Sequence, residues 1–98
     1  MVKIIWSPLS RNNLKRIFEY ISEDSPEIAR KFINNLVKQV KILEKFSLSG
    51  KKVSELQFTE NREIIYKSYR IIYCVDEGFV QIITIIHSKQ DFFSAYSN

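Results

Sequence analysis

The chain has 98 residues, of which 45% are hydrophobic and 27% are charged. This length suits one domain with one core, and this composition excludes a disordered chain. No apolar run approaches the roughly 20 residues of a membrane-spanning helix, and the N-terminus lacks the features of a signal peptide. The single cysteine, Cys74, excludes an internal disulfide and a cysteine-rich zinc site. We therefore expect one cytoplasmic domain over residues 1–98, without a cofactor or a membrane partner.

The net charge of +4 is unevenly distributed. Residues 1–50 hold nine Lys/Arg and five Asp/Glu, whereas residues 51–98 hold six of each. An excess of positive charge suits a nucleic acid or an acidic protein partner. A solvated basic helix surface that aids solubility explains the same excess equally well.

A short β-type run, "VKIIW", is followed by two amphipathic helices. Ser7 precedes Pro8 and Ser25 precedes Pro26, and serine before proline is a typical helix start. Apolar residues then recur at the i, i+3, i+4, i+7 spacing of a helix with one buried face. The predicted helices cover residues 8–22 and about 26–45, with stripes at Leu14, Ile17, Phe18 and Ile21 and at Ala29, Phe32, Ile33, Leu36, Val40 and Leu43. The short link between them predicts an antiparallel helical hairpin.

The second half of the chain has the residue types of β-strands. "NREIIYK", "YRIIYCV" and "FVQIITIIH" are rich in Ile, Val and Tyr, and "KVSELQF" alternates weakly enough for a short edge strand. Asp76-Glu77-Gly78 is a typical turn sequence. We expect an α+β fold: a small antiparallel sheet, made of the first strand plus three C-terminal strands, packed against the N-terminal helical hairpin.

Arg70 is the unusual residue in these strands. Strand side chains alternate, so Tyr69 and Ile71 share one face while Arg70 shares the other with Ile72 and Cys74. A half-covered guanidinium needs an anionic partner, because a buried charge without one is costly. That partner is either a structural carboxylate, for example Glu63 on the neighbouring strand, or the anion of a ligand.

His87, the only histidine, lies at the end of the last strand. With a two-residue turn at Glu77-Gly78, Arg70 lies opposite Ile85 and His87 is its diagonal neighbour on the same face. With a three-residue turn and a bulge at Gly78, the two separate. If they meet, they could move a proton and stabilise charge on a phosphodiester. The alternative is a capping or packing role.

Other polar and aromatic residues flank the predicted sheet. Lys51, Lys52 and Lys89 are basic points around it, and Arg62 is adjacent to Glu63 on one strand. The tail carries aromatic residues beyond the last strand, where something must cover them. These tail residues are Phe92, Phe93 and Tyr96.

The motifs "WSP", "REI", "YRIIY" and "IIHSKQDF", in this order, resemble the toxins of the ParE/RelE superfamily of type II toxin–antitoxin modules. The resemblance covers roughly residues 2–92 and is closest to the ParE-like branch. It implies the fold deduced above, growth inhibition and plasmid stabilisation, and neutralisation by a cognate antitoxin in a hetero-oligomer. ParE-like members poison DNA gyrase, whereas RelE-like members cleave mRNA on the ribosome.

The resemblance also implies residue roles. Arg70 matches the arginine that RelE-like enzymes place on the phosphate, and Lys89 falls near their second catalytic arginine. Lys51 and Lys52 fall where those enzymes carry lysines, and His87 matches a histidine common after the last strand in ParE-like chains. If the chain is a nuclease, Arg70, His87 and Lys89 are the expected catalytic residues. The expected binding residues are Lys51, Lys52, Arg62, Phe92 and Phe93.

Three functions are compatible with this sequence. The favoured one is a ParE-like toxin that binds DNA gyrase and performs no chemistry itself. The alternative is a ribosome-dependent mRNA endoribonuclease. A third is a non-toxic relative kept as a partner-binding domain.

Overall fold

The computed structural model describes residues 1–97 of the chain. The elements follow in the order strand, helix, helix, four strands and a short C-terminal helix. The strands are β1 (Lys3–Trp6), β2 (Lys51–Lys52), β3 (Arg62–Tyr66), β4 (Tyr69–Asp76) and β5 (Phe79–His87), and the helices are α1 (Pro8–Ser22), α2 (Pro26–Lys41) and α3 (Phe92–Ser97). Within residues 1–97, no helix combines the length and the hydropathy needed to cross a membrane.

Both predicted serine caps are present at the helix starts. Ser7 Oγ accepts a hydrogen bond from the Ser10 amide at 3.0 Å, and Ser25 Oγ accepts one from the Ile28 amide at 3.2 Å. These bonds satisfy amides that have no partner inside the helix. The α2 helix ends at Lys41, and a 3₁₀ turn over Ile42–Glu44 continues its apolar stripe.

The five strands form one sheet in the order β1-β5-β4-β3-β2. The predicted α+β architecture is confirmed, with the helical hairpin on one face and the first strand joined to the C-terminal strands at one edge of the sheet. The sheet is mixed rather than wholly antiparallel, because β1 pairs with β5 in parallel. A parallel neighbour needs a long crossover connection, and the helical hairpin begins that connection between β1 and the later strands.

Two segments differ from what the sequence suggested. The segment "KVSELQF" contributes only its first residue to β2, and Ser54–Leu56 forms a 3₁₀ turn instead of a strand. The tail was not predicted to be helical, yet α3 begins at Phe92.

The sheet separates two apolar clusters. The larger lies under the helical hairpin and includes Leu36, Ile71 and Tyr73, all fully buried. The smaller lies on the opposite face under α3 and contains Ile72 and Phe92. The alternation predicted for β4 is therefore confirmed, since neighbouring residues of this strand contribute to opposite clusters.

A bulge in β5 changes the register of the last hairpin. The turn has two residues, because Asp76 pairs with Phe79, but the register shifts between Ile72 and Tyr73. One extra residue, Ile83, lies opposite this shift. Arg70 consequently lies opposite Ile86 and not opposite Ile85.

Ser7, which caps α1, and Asn13 of α1 form hydrogen bonds with polar groups at the bulge. Ser7 Oγ donates a hydrogen bond to the Ile83 carbonyl at 2.6 Å. The Asn13 Oδ1 atom accepts from the Ile85 amide and from Thr84 Oγ1, both at 3.0 Å. Because buried polar groups without partners are costly, these contacts stabilise the shifted register.

Candidate functional site

Arg70 is held by two carboxylates on the face of the sheet opposite the helical hairpin. Its Nε and Nη2 atoms donate to Glu63 at 2.8 and 3.0 Å. Its Nη1 and Nη2 atoms donate to Glu55 at 2.8 and 2.7 Å. Four of the five guanidinium hydrogens therefore have partners within the chain. Of the two alternatives left open by the sequence, the structural ion pair with Glu63 is present, and Glu55 is a second partner.

This cluster is well shielded from solvent. The side chain of Glu63 is 2% exposed, that of Arg70 is 19% exposed and that of Glu55 is 29% exposed. Phe92 covers the guanidinium, with its ring centroid 4.9 Å from Arg70 Cζ. The covered guanidinium is thus surrounded by two carboxylates, and an incoming phosphate would meet their excess of negative charge.

The hydrogen bonds of the cluster shift the pKa values of Glu55 and Arg70. Hydrogen bonding from Arg70 lowers the pKa of Glu55 from 4.5 to about 2. Hydrogen bonds to Glu55 and then Glu63 raise the pKa of Arg70 above its ordinary value. Arg70 and Glu55 are therefore both charged at neutral pH, as expected for a bidentate ion pair.

His87 lies away from this cluster. The register pairs it with Tyr69, the residue before Arg70, and neighbouring residues of a strand face opposite sides. Its ring contacts Tyr69 edge to face with centroids 5.0 Å apart, and Tyr69 in turn contacts Phe32 of α2. His87 Nδ1 accepts a hydrogen bond from the Lys89 amide at 3.0 Å. The bulge therefore separates the arginine and histidine that the simple two-residue turn would bring together.

The predicted basic residues are distributed around the sheet edge. Lys51 and Lys52 are exposed on β2, and Lys52 forms an exposed ion pair with Glu60 at 3.1 Å. Arg62 Nη1 donates a hydrogen bond to the Gly50 carbonyl at 2.8 Å, so this side chain links β3 to the loop that precedes β2. Lys89 is exposed in the turn after β5.

The tail aromatics divide into covered and exposed residues. Phe92 is buried against the sheet, and Tyr96 stacks on it at 5.4 Å and accepts a hydrogen bond from Asn61 Nδ2. Phe93 points outward and is 59% exposed. Of the aromatic residues expected to bind a partner, only Phe93 is free to do so without unpacking α3.

A groove of about 420 Å³ runs along the Arg70 cluster. Its walls carry charged residues of both signs and several hydroxyl groups. They are formed by Lys51, Ser54, Glu55, Glu63, Ile65, Lys67, Ser68, Tyr69, Arg70 and Ser88. Within residues 1–97, no group of three or more His, Cys, Asp or Glu side chains could hold a metal ion. The groove therefore combines the ion-paired charges of the Arg70 cluster with two lysines, Lys51 and Lys67.

A second groove, of about 210 Å³, lies between β1 and α2 and is mainly apolar. It is lined by Ile4, Trp6, Val37, Val40, Lys41 and Glu44. Val37 remains 36% exposed at its rim. The adjacent strand β1 is an edge strand, so half of its backbone groups face away from the sheet. We call this region the β1 groove.

Sequence reasoning missed Glu55 and the β1 groove. Glu55 lies in "KVSELQF", where the weak alternation suggested a short edge strand. An edge strand at this position did not indicate that the Glu55 carboxylate contacts Arg70. The sequence signal was the acidic residue in a segment with serine and little β propensity, which favours a turn. The β1 groove depends on which strand lies at the sheet edge, and that is a property of the topology.

Comparisons with known proteins agree with this geometry. The family described as "ParE toxin of type II toxin-antitoxin system, parDE" matches residues 4–92. A solved chain of the chromosomal ParDE toxin–antitoxin system from P. aeruginosa is similar, with a TM-score of 0.76, 23% identity, and coverage of 89% of this chain and 96% of that chain. A chain of the RelBE2 toxin–antitoxin complex from Mycobacterium tuberculosis has a TM-score of 0.58, 15% identity, and coverage of 88% and 96%. No curated protein matches significantly.

Replacing Arg70 by methionine should destabilise the fold by about 3–5 kcal/mol, because Glu63 would be left buried without a counter-charge. The double variant Arg70→Met/Glu63→Met should recover much of this loss, since an apolar pair can replace a buried ion pair. The matched control is Lys52→Met, which breaks the exposed pair and should cost about 0–1 kcal/mol. Urea unfolding measures all three variants. Equal losses in Arg70→Met and Lys52→Met would contradict the structural role.

The Glu55 contribution should depend on pH. Its pKa in the folded protein, about 2, lies below its ordinary value of 4.5, so its ionised form stabilises the fold. This stabilisation is fully present above pH 4.5 and is lost as the pH falls towards 2. The free energy of unfolding, measured with urea, should therefore be higher for wild type than for Glu55→Gln at pH 6. The difference between the two should shrink steadily below pH 4.5. A difference that stays constant from pH 6 to pH 2.5 would show that this ion pair is absent in solution.

Proposed function

Because the chain belongs to the ParE toxin family of type II toxin–antitoxin systems, we propose that it inhibits growth by poisoning DNA gyrase and that a cognate antitoxin neutralises it. The function requires a surface that binds the target and a surface that binds the antitoxin. It requires no catalytic group on the toxin itself.

The observation that carries this proposal is the double carboxylate clamp on Arg70. A nuclease must direct an arginine at the scissile phosphate, where it stabilises developing charge. Here that arginine is occupied by Glu55 and Glu63 at 2.7–3.0 Å. The only histidine lies on the other face of the sheet. This arrangement favours a toxin that acts through binding over the alternative of a ribosome-dependent nuclease.

The β1 groove supports the antitoxin part of the proposal. An apolar groove beside a free strand edge can take an extended segment, which adds a strand by backbone hydrogen bonds and buries side chains in the groove. The two similar solved chains belong to toxin–antitoxin systems. We propose that the antitoxin covers Ile4, Trp6 and Val37.

Two parallel assays separate the gyrase proposal from the nuclease alternative. Purified protein with gyrase, ATP and supercoiled plasmid should yield linear DNA, and no linear DNA should form without gyrase. The same protein on ribosomes programmed with mRNA should leave the message intact. The folded variant that lacks the arginine, Arg70→Met/Glu63→Met, should behave like wild type in both assays.

Two results would overturn this proposal. If the protein still arrests growth but the plasmid stays uncut in the presence of gyrase, gyrase is excluded as the target. Cleavage of mRNA by wild type that disappears in Arg70→Met/Glu63→Met would identify Arg70 as a catalytic residue. The same variant must unfold at a urea concentration near that of wild type, so that loss of fold is not read as loss of function.

The antitoxin site can be tested with a charge at the groove rim. Val37→Lys should weaken antitoxin binding by roughly tenfold or more, because a lysine would place a charge in an apolar contact. The matched control is Ile28→Lys, which adds the same charge to α2 at a position that is 60% exposed and does not line the groove. Co-purification of each tagged variant with the product of the adjacent gene measures binding. Equal retention of the partner by both variants would exclude this groove.

A further inference from the structure

The helical hairpin presents a polar surface on the side away from the sheet. In α1 and in α2, one set of exposed residues recurs at the i, i+3, i+4, i+7 spacing, which places each set on one side of its helix. We call the two sets together the hairpin outer face. It consists of Asn12, Lys15, Arg16 and Glu19 on α1 and of Lys31, Asn34, Asn35 and Lys38 on α2.

The positive charge of the protein is concentrated on this hairpin. The α1 and α2 helices hold seven Lys/Arg and two Asp/Glu, which is a net charge of +5. The rest of the chain holds eight Lys/Arg and nine Asp/Glu, which is a net charge of −1. Ion pairs found within residues 1–97 all involve sheet residues or the segment that joins β2 to β3. The basic side chains of the hairpin therefore keep their charge available to a partner.

The chemistry of the hairpin outer face excludes several kinds of partner. It contains four basic residues, three asparagines and one glutamate, and no apolar or aromatic residue. Protein interfaces have an apolar core with aromatic anchors, which this face lacks. Single-stranded nucleic acid is held by aromatic side chains that stack on the bases; none belongs to this face, and the exposed Tyr20 of α1 lies outside it. Lysine, arginine and asparagine are the residues that contact the phosphates of a duplex.

We propose that the hairpin outer face binds the phosphate backbone of duplex DNA without sequence preference. The 16 residues of α2 span about 24 Å, which matches about seven phosphates of one strand. The four basic residues would release counterions on binding, so the logarithm of the binding constant should fall against the logarithm of salt concentration with a slope of about −4. Bound DNA would hold the protein close to an enzyme that acts on DNA.

The experiment is a fluorescence anisotropy titration of a labelled 20-base-pair DNA duplex with the full chain at several salt concentrations. Wild type should bind in the micromolar range at about 50 mM salt and lose affinity steeply as salt rises. The variant Lys15→Gln/Lys31→Gln/Lys38→Gln should bind at least roughly tenfold more weakly, and its salt slope should be shallower by about 3.

A matched control removes the same number of charges elsewhere. Lys3→Gln/Lys45→Gln/Lys67→Asn changes three exposed lysines outside the two helices, and asparagine suits the positive φ of 53° at position 67. This control should bind DNA almost as well as wild type and keep its salt slope. Equal weakening in the two triple variants would overturn the proposal, because binding would then follow net charge alone.

Competition experiments exclude other partners. Unlabelled duplex DNA should displace the probe, whereas single-stranded RNA and polyglutamate should displace it only at higher concentration. Preferential displacement by single-stranded RNA, by duplex RNA or by polyglutamate would overturn the assignment to DNA. The inference rests on charge distribution and the titration contains no gyrase. It can therefore fail or succeed independently of the gyrase proposal.

Discussion

The ion pairs of Arg70 join most of the elements on one face of the sheet. The arginine lies on β4, Glu63 lies on β3, Glu55 lies in the 3₁₀ turn after β2, and Phe92 from α3 covers the guanidinium. Removing the arginine would leave a buried carboxylate without a partner, which is why this cluster constrains the whole face. The position of α3 and of the segment between β2 and β3 depends on it.

The same cluster limits what the face can do chemically. An arginine stabilises a phosphate only if its donors are free, and here the protein supplies its own anions. The bulge at Ile83 has a related effect, because it turns His87 towards Tyr69 and Phe32 under the helical hairpin. The two carboxylates thus occupy Arg70, and the bulge separates it from His87. In the sequence, the arginine and the histidine resemble a catalytic pair. A function based on binding follows more readily from this arrangement than one based on proton transfer.

The binding surfaces are distributed over different parts of the molecule. The β1 groove is apolar and next to a free strand edge, whereas the hairpin outer face is basic and has no apolar residue. The two surfaces therefore suit partners of different chemistry. In the roles proposed for them, the β1 groove gains affinity through the burial of apolar area, and the hairpin outer face attracts its partner over a long range that salt shortens.

Elements with local sequence signals could be predicted before the fold was known. Serine caps and apolar stripes predicted both helices, and Ile, Val and Tyr runs predicted β3, β4 and β5, because these patterns depend only on neighbouring residues. The sequence also offered Glu63 as one of two kinds of anionic partner for Arg70, and the fold selects that carboxylate. The parallel pairing of β1, the bulge at Ile83 and the approach of Glu55 could be seen only in the folded chain. Each of these depends on contacts between residues far apart in the chain, and no local pattern records such contacts.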